Sequence, residues 1–226
     1  KHGIQASNSG TGALSITTSG ATTGGDSGIF AYNTNTGSVS IKTTGTTTGG
    51  NDGIYALNYG GGAISITTTG TTTGETGNGI YAVNTERYFP PNTSLTINAA
   101  TTTGGTYGIY ADNEGTGALS ITTTGTTTGK NNDGISAKND GTSLTIEAAT
   151  TTGGIDGIFA DNRGTGALSI TTSGAITGGT SYGIAALTLA NKMTNITLNS
   201  GAVSSTAGLG IFNNGGNSTT TVNTGA

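Results

Sequence analysis

A unit of about 25 residues, typified by TYGIYADNEGTGALSITTTGTTTG at 106–129, recurs from one end of the chain to the other, and nothing else in the sequence restricts the fold as strongly. The glycine that opens its Gly-Ile element stands at Gly3, Gly28, Gly53, Gly79, Gly108, Gly134, Gly157, Gly183 and, in a degenerate copy, Gly208. A second element follows as Leu119-Ser120-Ile121 or a close variant, and a third as a threonine run before glycine, as in Thr46-Thr47-Thr48-Gly49. Each element is short, rich in β-branched residues, alternating in polarity and bounded by turn formers, which marks strands and not helices. Parallel strands ordinarily need a long crossover. A chain that winds continuously instead lays each strand beside its counterpart one turn later, so the expected fold is an all-β parallel solenoid.

That reading makes residues 1–226 a single body of about nine coils, interrupted by insertions at 85–93 and 188–194. The first insertion holds Arg87, Tyr88, Phe89 and both prolines of the chain, and proline cannot join a ladder, so a loop is expected there. Only 8% of residues are charged and 31% are hydrophobic, too few large apolar groups for a thick globular core. A net charge of −4 gives no electrostatic footing on nucleic acid or on an anionic membrane, and no membrane insertion of this segment is expected. The absence of cysteine excludes disulfides and thiolate chemistry.

Side-chain alternation assigns the faces. Ile109, Ala111 and Asn113 turn inward with Leu119 and Ile121, while Tyr110 and Asp112 turn outward. In the third element the middle residue, Thr22, Thr47, Thr72, Thr102, Thr127 or Thr151, becomes Ile176 and then Val203, so it faces the core. Asn8, Asn33, Asn58, Asn84, Asn113, Asn139 and Asn162 share one inward position and are expected to form a ladder of amides bonded coil to coil. Thr188 replaces the asparagine in the eighth copy, where a break is expected, and Asn213 is read as restoring the position in the last.

Most apparent chemistry dissolves under the repeat. Gly25-Asp26-Ser27-Gly28 resembles a serine-protease nucleophile motif, but other coils spell the same turn Gly50-Asn51-Asp52-Gly53 or Gly154-Ile155-Asp156-Gly157, and the lone histidine is His2. Asp112 and Asp161 occupy the same outward position two coils apart, about 9.6 Å at strand spacing. With Lys138 between them, they read as cross-strand charge pairing rather than a carboxylate pair for glycan hydrolysis. Asp52, Asp133 and Asp156 read as turn formers, and no metal or cofactor is expected. Two surface features remain. Phe30, Tyr55, Tyr81, Tyr110 and Phe159, with Tyr32 and Leu57 adjoining, form an outward aromatic and apolar stripe suited to docking protein or glycan. Paired threonines (Thr46 and Thr48, Thr71 and Thr73, Thr101 and Thr103, Thr126 and Thr128) form two rows that resemble the array of β-solenoid ice-binding proteins.

The units GIYADNEGTGALSITTTGTTTG, GIFADNRGTGALSITTSGAITG and GIYALNYGGGAISITTTGTTTG resemble the passenger repeats of bacterial type V autotransporters. The resemblance implies a right-handed β-helix of the pectin-lyase kind, exported through the outer membrane and displayed on, or released from, the bacterial surface. It implies a non-enzymatic, monomeric passenger segment that adheres to a host cell-surface or matrix protein or glycan, or that stimulates a host receptor in the pro-angiogenic manner. It carries over no catalytic residue. The expected contacts are the aromatic stripe and Arg87, Tyr88 and Phe89.

Overall fold

The computed structural model describes residues 1–85, 94–189, 196–214 and 220–224, with Ile196 and 220–224 described by their backbone alone. Every regular element among them is a β-strand. One coil shows the plan: Ile109–Asn113, a corner, Leu119–Thr123, a tight bend, then Thr127–Gly129. Each strand hydrogen-bonds in parallel to its equivalents in the coils before and after, giving sheets of nine, nine and eight strands. The registers are strict: Ile109 lies between Ile80 and Ile135, Leu119 between Leu95 and Leu144, Thr127 between Thr102 and Thr151. The fold is therefore a three-sheet parallel β-solenoid, with full turns followed by two strands of a ninth. Nine strands at strand spacing span about 38 Å along the axis.

The core is a set of columns, one side chain per coil. Ile54, Ile80, Ile109, Ile135 and Ile158 are wholly buried, as are Leu95, Leu119, Leu144, Ile97, Ile121 and Ile146. The third sheet contributes Thr47, Thr72, Thr102, Thr127, Thr151 and Ile176, all at 0% exposure, as the substitution pattern requires. Their methyl groups press on the next segment of chain. A Cβ on Gly108 would stand 2.7 Å from Thr127 Cγ2 and 2.5 Å from the Gly134 carbonyl oxygen. Among the described residues no glycine has positive φ, so close approach alone fixes glycine there. The threonine hydroxyls of Thr47, Thr72, Thr102, Thr127 and Thr151 have no hydrogen-bond partner.

The asparagine ladder runs unbroken over the coils that carry it. Each Nδ2 donates to the next Oδ1: Asn8 to Asn33 (2.9 Å), Asn33 to Asn58 (2.7 Å), Asn58 to Asn84 (3.1 Å), Asn84 to Asn113 (3.1 Å), Asn113 to Asn139 (2.9 Å) and Asn139 to Asn162 (2.9 Å). The same amides tie the following corner, as Asn33 does to the Gly37 carbonyl (2.7 Å). Sequence separations along the ladder range from 23 to 29 residues, so corner length varies while strand register does not. Thr188 ends the ladder; it is buried, and its hydroxyl has no partner.

The ninth turn departs from the expected alignment. Ile184 N donates to the Gly210 carbonyl (2.9 Å), so Gly210, not Gly208, takes the anchor position. Ile211 then pairs with Ile184, and Asn213 falls opposite Ala186 instead of Thr188. The corner before Ile211 has the same length as that between Gly178 and Ile184, so the apolar Ile211 continues the isoleucine column, and packing that side chain outranks restoring the amide ladder.

Candidate functional site

The outward residue after each inward isoleucine builds the most distinctive surface. Phe30 and Tyr55 stack with centroids 5.3 Å apart and planes 4° from parallel, Tyr55 and Tyr81 at 4.8 Å and 7°, Tyr81 and Tyr110 at 5.0 Å and 7°. His2 extends the stack over Phe30 at 4.6 Å, and Tyr32 lies beside it at 6.3 Å. Parallel register produces this directly, because it puts equivalent side chains one strand spacing apart. Each of these rings is partly buried. Between Phe30 and Tyr110 the facing surfaces are occupied by neighbouring rings, so this stretch offers solvent its edges and phenol hydroxyls. Burial, reinforced by neighbouring Tyr81, pushes the Tyr55 phenol up to about 12, and burial likewise raises Tyr81 and Tyr110, so these hydroxyls stay protonated donors.

Other expected contacts fall differently. Phe159 sits in the same column but is separated from Tyr110 by Ser136. Leu57, expected in the exposed stripe, is 8% exposed and contributes to the body of the rod instead; its column neighbour Tyr32 packs edge-on against Tyr59 (5.6 Å, 74°). Arg87, Tyr88 and Phe89 lie outside the described residues.

The charged cluster is half of what the sequence suggests. Lys138 Nζ lies 3.5 Å from Asp112 Oδ2 and 3.6 Å from Asp140 Oδ2, whereas Asp161 is taken by Arg163 Nε at 2.7 Å. The alternating Asp-Lys-Asp ladder is thus replaced by two separate groups, because Arg163, two residues beyond Asp161, reaches it with better geometry. At the turns, Asp52 Oδ1 accepts from Asn78 N (2.7 Å), Asp133 Oδ1 from Asp156 N (3.2 Å) and Asp156 Oδ1 from Tyr182 N (2.6 Å). These carboxylates stitch one turn to the next. Ser27 is 2% exposed, and its amide, not its hydroxyl, donates to His2 Nδ1 (3.3 Å).

On the third sheet Thr48, Thr73, Thr103 and Thr128 stand in register and face outward, flanked by Thr46, Thr71, Thr101 and Thr126. Two notches of about 200 and 250 Å³ open beyond the second sheet, against Ala99 and Ala148. Ala99 lies between Thr68 and Thr123, and Ala148 opposite Thr172, so each notch opens at a rung where alanine replaces threonine. The readable signal was the change from Ser-Ile-Thr-Thr to Thr-Ile-Asn-Ala and Thr-Ile-Glu-Ala.

No family model, curated protein or solved structure matches the chain.

Proposed function

We propose that this chain is a segment of an autotransporter-like passenger, exported to the bacterial surface or released from it, whose rod displays an aromatic face to a host protein or glycan. The observation that carries the reading is the stack from Phe30 to Tyr110. It is a continuous, partly exposed column of ring edges and protonated hydroxyls on a rigid support. Edge-on presentation favours a partner that supplies acceptors to the Tyr55, Tyr81 and Tyr110 hydroxyls over a sugar lying flat on a ring face. Replacing these three tyrosines by serine is expected to reduce binding of the purified rod to host cells about tenfold or more while preserving its strand signal in circular dichroism. Unchanged binding by a folded triple variant would remove the column from the interface. Stimulation of a host receptor by released protein is the same surface used in solution, and endothelial proliferation assays separate it from simple adhesion.

The registered threonine rows favour a second reading of another class, ordering of ice-like water on a flat hydroxyl and methyl lattice. It predicts thermal hysteresis that is lost when Thr73, Thr103 and Thr128 are replaced by lysine. A concentrated solution that freezes without hysteresis disposes of it.

A further inference from the structure

The aromatic column has rungs without a ring. In register it reads Gln5, Phe30, Tyr55, Tyr81, Tyr110, Ser136, Phe159, Ala185 and Phe212. At Gln5 and Ala185 the residue three positions earlier supplies a substitute. His2 stacks on Phe30 at 4.6 Å and 28°, and Tyr182 stacks on Phe212 at 4.8 Å and 20°. Ala185 is accordingly only 2% exposed. At Ser136 the same earlier position is Asp133, a carboxylate that accepts a hydrogen bond from the serine side chain, and Ser136 remains partly exposed.

Tyr110 and Phe159 therefore flank one unfilled rung. Two strand spacings put them about 9.6 Å apart, against 4.8 to 5.3 Å for the stacked pairs of the column. We propose that the gap between Tyr110 and Phe159, floored by Ser136, is a binding slot for one aromatic side chain of a protein partner. A planar ring placed midway stands about 4.8 Å from each wall, the spacing at which the column's own rings stack. A pyranose chair is thicker than an aromatic ring and fits the same space less well. Tyr107, tilted 58° against Tyr110 with centroids 5.3 Å apart, borders the slot. The charged groups around it are already engaged: Lys138 by Asp112 and Asp140, Arg163 by Asp161, and the buried Asp133 by Ser136 and the Asp156 amide. The occupant is an uncharged aromatic side chain that brings a donor for the partly exposed Ser136 oxygen, as tyrosine does.

This slot deepens the reading of the aromatic column as the contact face and rests on it. Its test uses N-acetyltyrosinamide and tyramine as probes, titrated to tens of millimolar into the isotope-labelled 226-residue chain, with methyl glucoside as the sugar arm. Ring-current shifts of the Ile135, Ser136 and Ala137 amides are expected with both aromatic probes and absent with the glucoside. Ser136→Tyr supplies the missing rung with a residue three other coils carry there; it is expected to melt no lower than the parent and to weaken probe binding about tenfold. No shift at these amides, equal shifts from the glucoside, or full probe affinity in S136Y would overturn the slot. If S136Y does not fold, Phe159→Ala, which removes one wall, must give the same loss, and retained affinity overturns the proposal. Host-cell binding is read separately. A chain that takes the probe but not cells leaves the slot standing without the passenger reading, and one that takes cells but not the probe does the reverse.

Discussion

Asp133 shows how much a single residue in this rod is set by position in the turn. Burial raises its carboxyl to about 6; the Asp156 amide opposes the rise, Asp156's own charge adds to it, and Ser136 opposes it again. Burial also raises Asp52 and Asp112. In the unfolded chain all three titrate near the ordinary aspartate value of about 3.9. The folded state therefore holds protons more tightly. The stability this contributes is fully present below about 3.9 and is lost as pH rises through the folded value, about 6 for Asp133. The melting temperature is expected to fall between pH 4 and pH 7, and Asp133→Asn to flatten part of that slope, since the amide oxygen still accepts from Asp156. A melting temperature that climbs over this interval in both proteins would contradict the assignment. None of this was legible in the repeat, where Asp133 read only as a turn former: an Asp-Gly turn does not announce that its carboxylate will be covered by the next coil.

At the scale of the elements, two polar columns run through the interior with opposite energetics. Asn113 accepts from Asn84 and donates to Asn139 in buried surroundings, and donates to the partly buried Gly117 carbonyl. Its replacement by alanine strands a donor and an acceptor, each worth about 1 to 3 kcal/mol. The neighbouring threonine column has no such partners. Thr102→Val, which copies the Val203 solution, is expected to leave stability unchanged or raise it by about 1 kcal/mol. Urea denaturation of the pair decides the matter: N113A well below the parent and T102V at or above it. Both columns could be placed inward from the sequence, the asparagines by recurrence and the threonines because Ile176 and Val203 succeed them. Their energetic contrast could not, since whether a buried hydroxyl finds a partner depends on rotamer and on the few tenths of an ångström that separate neighbouring coils. The same limit hid the choice of Asp112 by Lys138 and the covering of Leu57. Those outcomes turn on long side chains reaching across coils.

For the whole molecule, strand positions, faces and sheet composition followed from periodicity, because a solenoid repeats in space what it repeats in sequence. The exceptions cluster where spacing is irregular. Either Gly208 or Gly210 could have anchored the last turn, and only the pull of Ile211 toward the isoleucine column decides it. The aromatic column was legible as a stripe, but the substitution of Tyr182 and His2 for absent rungs was not, since it links residues in different register positions. The slot at Ser136 becomes visible only once those substitutes are seen.

Corner length varies from coil to coil while register across each sheet is kept, and each strand pairs with its counterparts in the adjoining coils. Such a body behaves like a screw thread, in which excising 109–134 would join Gly108 to Ile135 and present the same columns to the same neighbours. The sequence is a series of similar tracts, so the loss or gain of one tract changes the rod by one whole turn. Rod length can then change by whole turns, about 4.8 Å each, without altering the columns that the remaining coils present.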